Sequence, residues 1–569
     1  MNTRPALPPQ FERESCAGTV GAGLVPARRA PNRQIACADA TRAGTSPAPT
    51  KRPRKSSVEI KLALIAFVLV AACVPAVAQK SAADAARRKL PSADKVIADY
   101  LKAAGGKRRL AAIVDATYEW SVVGDGGAAG AATSQVKAPA SFRLSVTRPG
   151  GEFSEGVTTR VAWTRAADGS VHTLTGAEAK RARLRATLEA SRLVDFKKQN
   201  LLAVTVGAEQ YGGELAYAVE FRGRDEARVR YLLGASSKLP LEIRDERGRT
   251  LARLSDYRPV GGVMEPHRAE LVLEDGGEVR LELRSARQNA GLAASVFDAP
   301  AAGDFDARAL LQEVMEKEPE VAVRFDEYTF TVKHTERELD DRGDAKKETS
   351  QVWEVFMALN GWSIGKLVLV NARPLPPEKA AKEEKRVADF LAAHAEAKPP
   401  ETRKGAGGFQ INFGDGMGFG LADLLRACNF VSPRRERFQG RDAVVFDFRP
   451  RADFHSKSRN DEILSKIVGL VWIDLAEKVV MRIEARLTDD FKIGGGLLLK
   501  IAPGAGFSFE RTRLDDGYWV PRSYHWNANG KGFLIMKRSV YESTEWDNCK
   551  RFRSEAGDAT LDAPKREPH

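Results

Sequence analysis

Two stretches of this chain, YGGELAYAVEFR (211–222) and FQGRDAVVFDFR (438–449), align without gaps, and they limit its fold more than any other feature. In the first, Leu215, Tyr217, Val219 and Phe221 alternate with Ala216, Ala218 and Glu220. A period of two after a Gly-Gly turn is a β-strand with one apolar face. A second echo relates GGVMEPHRAEL (261–271) to DGYWVPRSYHW (516–526), each a glycine turn followed by proline and an outgoing strand. The chain therefore reads as one plan used twice, over 79–303 and 304–556, with a disordered tail at 557–569.

The first copy opens with a helix at 92–106, capped by Ser92 and closed by Gly105-Gly106. Alternating strands follow, punctuated by Asp125-Gly126 and Asp168-Gly169. Thr175 and Glu178 form a capping box for a long helix whose apolar stripe is Leu184, Leu188 and Leu193. The second copy repeats this with a helix at 306–319 stopped by proline, a charged helical insertion at 376–400 and a short helix at 420–430. The expected fold class is mainly β with a few helices (α+β): two tandem open, strongly curved antiparallel half-barrels with helical lids over their concave sides. Such a sheet leaves room for apolar guests. Trp163, Phe330, Trp353 and Phe356 are the candidate cavity lining.

Residues 1–57 hold ten Lys/Arg against three Asp/Glu and no periodic apolar pattern. They read as a disordered extension or a misassigned start. GAGLVPA (21–27) and AGTSPAP (43–49) can be encoded by reverse-complementary DNA, which suggests an inverted repeat upstream of an initiator at Val58. This segment carries about half of the formal charge of +13, so the remainder is too mildly basic for a nucleic-acid partner. The apolar run at 62–72 is short for a membrane span and fits a signal peptide over 58–78, cut between Ala78 and Gln79 after an A-x-A site. Val70-Ala71-Ala72-Cys73 offers the alternative, a lipobox with lipidation at Cys73. Either route places the mature chain in the periplasm or outside the cell, or on the outer membrane if Cys73 is lipidated. In an oxidising compartment Cys428 and Cys549 can pair, or stay as two buried thiols.

The helix followed by K-A-A-G-G, the alternating strands, the L-T-G-x-E helix and the D-Y-R-x-V-x-G-V-x-x-P hairpin resemble the LolA/LolB-like outer-membrane lipoprotein carrier superfamily. The resemblance covers 92–300 and continues, more divergent, over 305–555. It implies an eleven-stranded half-barrel with a helical lid that binds acyl chains in the periplasm, and an arginine that latches the lid. The sequence does not single out that arginine.

Catalytic signatures are lacking. The seven histidines form no H-E-x-x-H or other metal spacing, G-x-S-x-G does not occur, and GDGMGFG (414–420) fits no dinucleotide fingerprint and reads as a loop. No catalytic residue, metal or cofactor is expected. Lys180, Arg181, Arg183, Arg185, Arg192, Lys197 and Lys198 are expected on a solvated helix face, or in peripheral contact with a membrane. Gly494, Gly495, Gly496, Leu497, Leu498, Leu499 and Ile501 belong to GGGLLLKIAPGAG, a candidate lid loop or a buried hairpin. The expected function is non-catalytic binding of a lipid, lipoprotein or other apolar or acylated ligand at the envelope. The alternative is a structural or sensory module with filled cavities that docks an envelope protein partner.

Overall fold

The computed structural model describes residues 90–124, 127–274, 276–301, 305–324, 328–340, 343–357, 363–394, 410–414, 417–493, 499–532 and 536–551. The first half begins with helices α1 (Ala93–Ala103) and α2 (Lys107–Ala111). Strands β1 (Asp115–Gly124), β2 (Gly127–Lys137), β3 (Ser141–Arg148), β4 (Gly151–Val157), β5 (Ala162–Arg165) and β6 (Val171–Thr173) precede α3 (Gly176–Ser191). Seven more follow: β7 (Leu202–Tyr211), β8 (Glu214–Arg222), β9 (Arg228–Gly234), β10 (Pro240–Asp245), β11 (Thr250–Val260), β12 (Val263–Val272) and β13 (Glu278–Gln288).

The second half starts with α4 (Ala307–Arg324), then β14 (Tyr328–Leu339), β15 (Ala345–Met357), β16 (Ser363–Val370), β17 (Arg373–Pro374) and α5 (Pro377–His394). The hairpin β18 (Gln410–Gly414) and β19 (Met417–Gly420) leads into α6 (Leu421–Ala427), β20 (Cys428–Phe438), β21 (Arg441–Pro450) and α7 (Arg459–Leu464). The chain then runs through β22 (Ile467–Asp474), β23 (Val480–Leu487), β24 (Phe491–Ile493), β25 (Leu499–Ile501), β26 (Gly506–Arg513), β27 (Trp519–Gly532) and β28 (Met536–Arg551).

Each half builds one open antiparallel sheet of 13 strands, two more than the resemblance implies. The order in the first is β6-β5-β4-β3-β2-β1-β13-β12-β11-β10-β9-β8-β7. In the second, β17-β16-β15-β14-β28-β27-β26-β23-β22-β21-β20 forms the main path, and β24 and β25 join through β27. In both, the first strand pairs with the last, β1 with β13 and β14 with β28. The aligned segments occupy matching places: β8 and β21 each lie second from an edge, beside β7 and β20.

Helices cover one face of each sheet. Ile97 and Tyr100 of α1 and Leu184 and Leu188 of α3 join Leu144, Phe221, Val229 and Leu281 in the first core. Leu311 and Val314 of α4, Leu424 of α6 and Leu464 of α7 join Phe446, Phe448 and Ile483 in the second. The α4 helix runs through Pro319 to Arg324, where the sequence reading stops it. Proline removes one N–H from the ladder, but Leu311, Val314 and a buried pairing of Glu318 with Arg511 at 2.6 and 2.9 Å hold the helix to the sheet. Gly414 and residues 417–420 of the GDGMGFG stretch pair in the β18–β19 hairpin instead of the expected loop.

The expectation of one apolar face per strand fails at the repeated strands. Residues 218–222 are all buried, and so are 443–448. For 443–448 the cause is a third apolar cluster between the halves, in which Val161, Trp163 and Ala299 meet Ala443, Val445, Leu470, Trp472 and Met481; at 218–222, Ala218 packs with Leu232, and Glu220 and Arg222 lie in an ion-pair network that reaches Asp344. Part of the second sheet's other face, at β21–β23, is thus covered by the first half, and both sheets lie in one compact unit.

Candidate functional site

A cavity of ≈ 200 Å³ lies between α3 and the covered face of the first sheet. Its walls are largely apolar, from Phe142, Leu144, Leu188, Ile243, Leu271 and Leu281. Alternation puts Trp120 and Val122 of β1 and Leu144 and Val146 of β3 on this side, and the helical spacing of Leu184 and Leu188 turns α3 toward them.

Three polar groups converge at the end of α3. Arg192 caps the helix in a left-handed conformation, φ 51°, and Leu193 and Asp195 follow at φ 59° and 50°. This turn carries the Arg192 guanidinium back to the sheet, where Nη2 donates to the Tyr118 hydroxyl at 2.8 Å. That hydroxyl donates in turn to Glu265 Oε1 at 2.8 Å, and Arg192 and Glu265 lie 3.6 Å apart. Burial opposes the charge on Arg192, but Tyr118 and Glu265 more than offset it and raise its pKa. Burial, then Glu265, raises the pKa of Tyr118 and keeps it protonated as the donor. The Tyr231 hydroxyl also lines the cavity, buried and without a hydrogen-bond partner. The arrangement is a polar latch at one end of an apolar chamber. A carboxylate is already spoken for there, and no nucleophile–base pair accompanies it.

Two arginines within α3, Arg181 and Arg185, also face inward. Arg185 Nε donates to Glu189 at 2.8 Å, and its guanidinium lies 5.5 Å from the Phe142 ring centre. Arg181 lies 3.6 Å from Glu246. The solvated face expected for these cations does not hold within α3, where no residue from 179 to 191 is exposed, although Lys197 and Lys198 beyond it are exposed. The spacing held the signal. Arg181, Arg185 and Arg192 stand three or four residues from Leu184 or Leu188, on the apolar stripe itself. Nothing comparable marks Tyr118 or Glu265, which only the pairing of distant strands brings to Arg192.

The candidate cavity residues lie elsewhere. Trp163 has no exposed surface, sits between the two sheets and donates through Nε1 to the Phe297 carbonyl at 3.2 Å. Phe330 is buried beside Tyr328 and Val355 in the second half, Trp353 is half-buried near His334, and Phe356 is 37% exposed. None of the four lines the chamber of ≈ 200 Å³, although Trp163 borders a smaller cavity of ≈ 20 Å³ beside α3 with Phe142, Leu174 and Ala186. Of the two alternatives for Cys428 and Cys549 the structure has free thiols: Cys428 is buried in the core under α4 and α6, and Cys549 packs near Tyr328 and Phe330. Leu499 and Ile501 lie in β25, hydrogen-bonded between β24 and β27, and Ile501 packs on the second core. Cys73, Ala78, Gln79 and Gly494, Gly495, Gly496, Leu497 and Leu498 fall outside the described residues. Among the described residues, no cluster of three His, Cys, Asp or Glu side chains is placed to hold a metal ion, and no helix is long and apolar enough to cross a membrane.

Several solved structures match this chain at low identity. A LolA superfamily protein from Nitrosomonas europaea is 17% identical, with a TM-score of 0.25, covering 37% of this chain and 99% of that one. A DUF1329 family protein from Desulfovibrio piger is 16% identical at a TM-score of 0.25, covering 36% and 97%. The Pseudomonas aeruginosa MucA/MucB complex matches at 9% identity and a TM-score of 0.17, covering 79% and 94%. No protein-family model and no curated protein matches the chain. The chamber's own geometry, and not these matches, bears on function.

Proposed function

We propose that the first half is a non-catalytic binder of a lipid, a lipoprotein's acyl chains or another apolar ligand, and that α3 is its lid. The observation that supports this is the apolar chamber under a helix fastened by Arg192 to Tyr118 and Glu265. Apolar cavities of about 150 Å³ take up benzene, whereas sites for larger ligands run to ~300–1,000 Å³. At ≈ 200 Å³ the chamber is in a closed state. A long acyl chain enters only when α3 moves, and α3 moves only when the latch opens. Each methylene buried then contributes ~0.8 kcal/mol, enough for micromolar affinity after the cost of association.

The second half fits the alternative role. Its covered face is packed with side chains of which Leu311, Val314, Leu424, Leu464, Phe446 and Phe448 have no exposed surface. We read it as a filled scaffold that holds the first half and leaves its remaining surface to an envelope partner. In this reading the halves are tandem copies, residues 79–303 and 304–556, of an exported protein cut after Ala78 or lipidated at Cys73.

Native mass spectrometry of protein purified from its own envelope, with titration of a fluorescent fatty acid or lysolipid, tests the binding. Co-purified acyl mass or saturable probe binding is expected, with binding weakened by Ala252→Trp, which fills the chamber. A wild type with neither leaves the docking module as the better account.

A further inference from the structure

We propose that Tyr231 anchors a neutral carbonyl group of the chamber's ligand, so that the site takes acyl esters in preference to free fatty acids. Tyr231 bears on that choice only if the chamber takes an apolar ligand, as proposed above. It lies in β9 and lines the chamber with Ile243, its partner in register on β10. It is 4% exposed. Of the residues that line the chamber, it is the one whose side chain holds a buried polar atom without a hydrogen-bond partner among the described residues.

Polar neighbours in the same wall are engaged. The Tyr257 hydroxyl donates to the Pro240 carbonyl at 2.7 Å, and Trp120 Nε1 donates to Ser134 Oγ at 2.9 Å. Arg185 holds Glu189, and Arg192 holds Tyr118 and Glu265, as described above. A buried tyrosine hydroxyl ordinarily has a partner. The Tyr231 ring is not free to swing toward one. Phe221 meets it edge to face with ring centres 5.4 Å apart, and Phe196 braces Phe221 in the same way at 5.7 Å. Burial, then Glu189, raises the pKa of Tyr231 well above the ordinary tyrosine value, so the hydroxyl keeps a proton to donate.

The walls limit what can accept that proton. A trapped water makes about three hydrogen bonds, and the chamber offers one unpaired group. A ligand carboxylate would bring negative charge to a chamber in which Arg185 and Arg192 are already matched by Glu189 and Glu265, and a buried charge without a counter-charge is costly. An amide would bring an N–H that finds no acceptor. The carbonyl oxygen of an ester accepts one bond and asks for nothing in return. Its acyl chain then lies along Phe142, Leu144, Leu188 and Leu281, the apolar part of the wall.

Calorimetric titration of the full mature chain with methyl octanoate, octanoate and octane tests this at one chain length. Methyl octanoate is expected to bind more tightly than either of the others. Tyr231→Phe, which removes the hydroxyl and keeps the ring, should weaken methyl octanoate about threefold to tenfold, the worth of one hydrogen bond, and leave octane unchanged. Without ligand the variant should melt no lower than wild type, since the unpaired hydroxyl is gone. Methyl octanoate and octane bound alike, in wild type and variant, would remove the carbonyl anchor and still leave an apolar binder. Octanoate bound more tightly than the ester would overturn the neutral class, and an equal loss of ester and octane in the variant would reduce Tyr231 to a wall that shapes the chamber. Binding of none of the three overturns the anchor together with the apolar site it rests on.

Discussion

Asp447 stands in β21 where Glu220 stands in β8, and each is a buried acid answered by arginines at the contact between the halves. Asp447 accepts from Arg434 at 2.8 Å, with Arg160 of the first half 3.7 Å away. Glu220 accepts from Arg222 at 2.8 Å and from Arg230 at 2.9 Å, and Arg222 reaches on to Asp344 of the second half at 3.0 Å. The Arg434 and Asp447 side chains have no exposed surface.

Removing one member of that pair strands the other. Asp447→Asn is expected to destabilise the protein by about 3–5 kcal/mol, whereas replacing both, Arg434→Met with Asp447→Leu, costs far less or nothing. Urea denaturation of the two variants measures the difference. Equal losses in both would show that shape, not charge, matters here.

Opening the latch is a separate test. Arg192→Met leaves Glu265 buried without its cation, at a cost of about 3 kcal/mol or more. Stopped-flow uptake of a fluorescent fatty acid should be faster than in wild type, and Arg192→Met combined with Glu265→Leu should keep that rate while recovering stability. Unchanged uptake would mean that α3 is not a lid.

Gly156 gives the seam its shape. A Cβ there would meet the Trp163 indole at 2.4 Å, and Trp163 has no free surface to yield into. Gly156→Ala is expected to cost about 1–3 kcal/mol as an overpacked core and to shift the tryptophan emission, which thermal melts and fluorescence will show.

Glu542 gives stability a pH dependence of its own. It stands opposite Glu336 across β28 and β14, and burial, then that neighbour, raises its pKa to about 7. The folded state thus keeps a proton that the unfolded chain releases near its ordinary value of 4.5. Stability from this group is full below the unfolded pKa and falls as pH rises toward 7, by about 1–2 kcal/mol after allowance for partial exposure. Melting temperatures from pH 4.5 to 8 should show the decline, and Glu542→Gln should flatten it.

The two halves carry separate cores but share Trp163, Trp472 and their neighbours. Residues 79–303 and 304–556 expressed apart are expected to melt cooperatively and to associate when mixed. Size-exclusion chromatography decides; halves that stay apart in solution would reduce the shared cluster to a weak contact.

The local pattern of the chain determined much of the fold. Alternation at 211–222 and 438–449, the Gly-Gly and Asp-Gly turns and the leucine spacing of α3 are short-range properties, and the strands, the helix and its inward stripe follow from them. Two open sheets with helices on one face could be read from that pattern because amphipathic elements have few ways to bury one side. What lies against the other side could not. The burial of Glu220 and Asp447, the place of Trp163 between the sheets, the chamber under Arg192 and the absence of a Cys428–Cys549 bond all depend on how elements far apart in the chain come together. Tyr118 and Glu265 are ordinary strand residues until β1 and β12 flank β13 and α3 closes over them. Periodicity records which way a side chain points. Only the packed structure decides what it meets there.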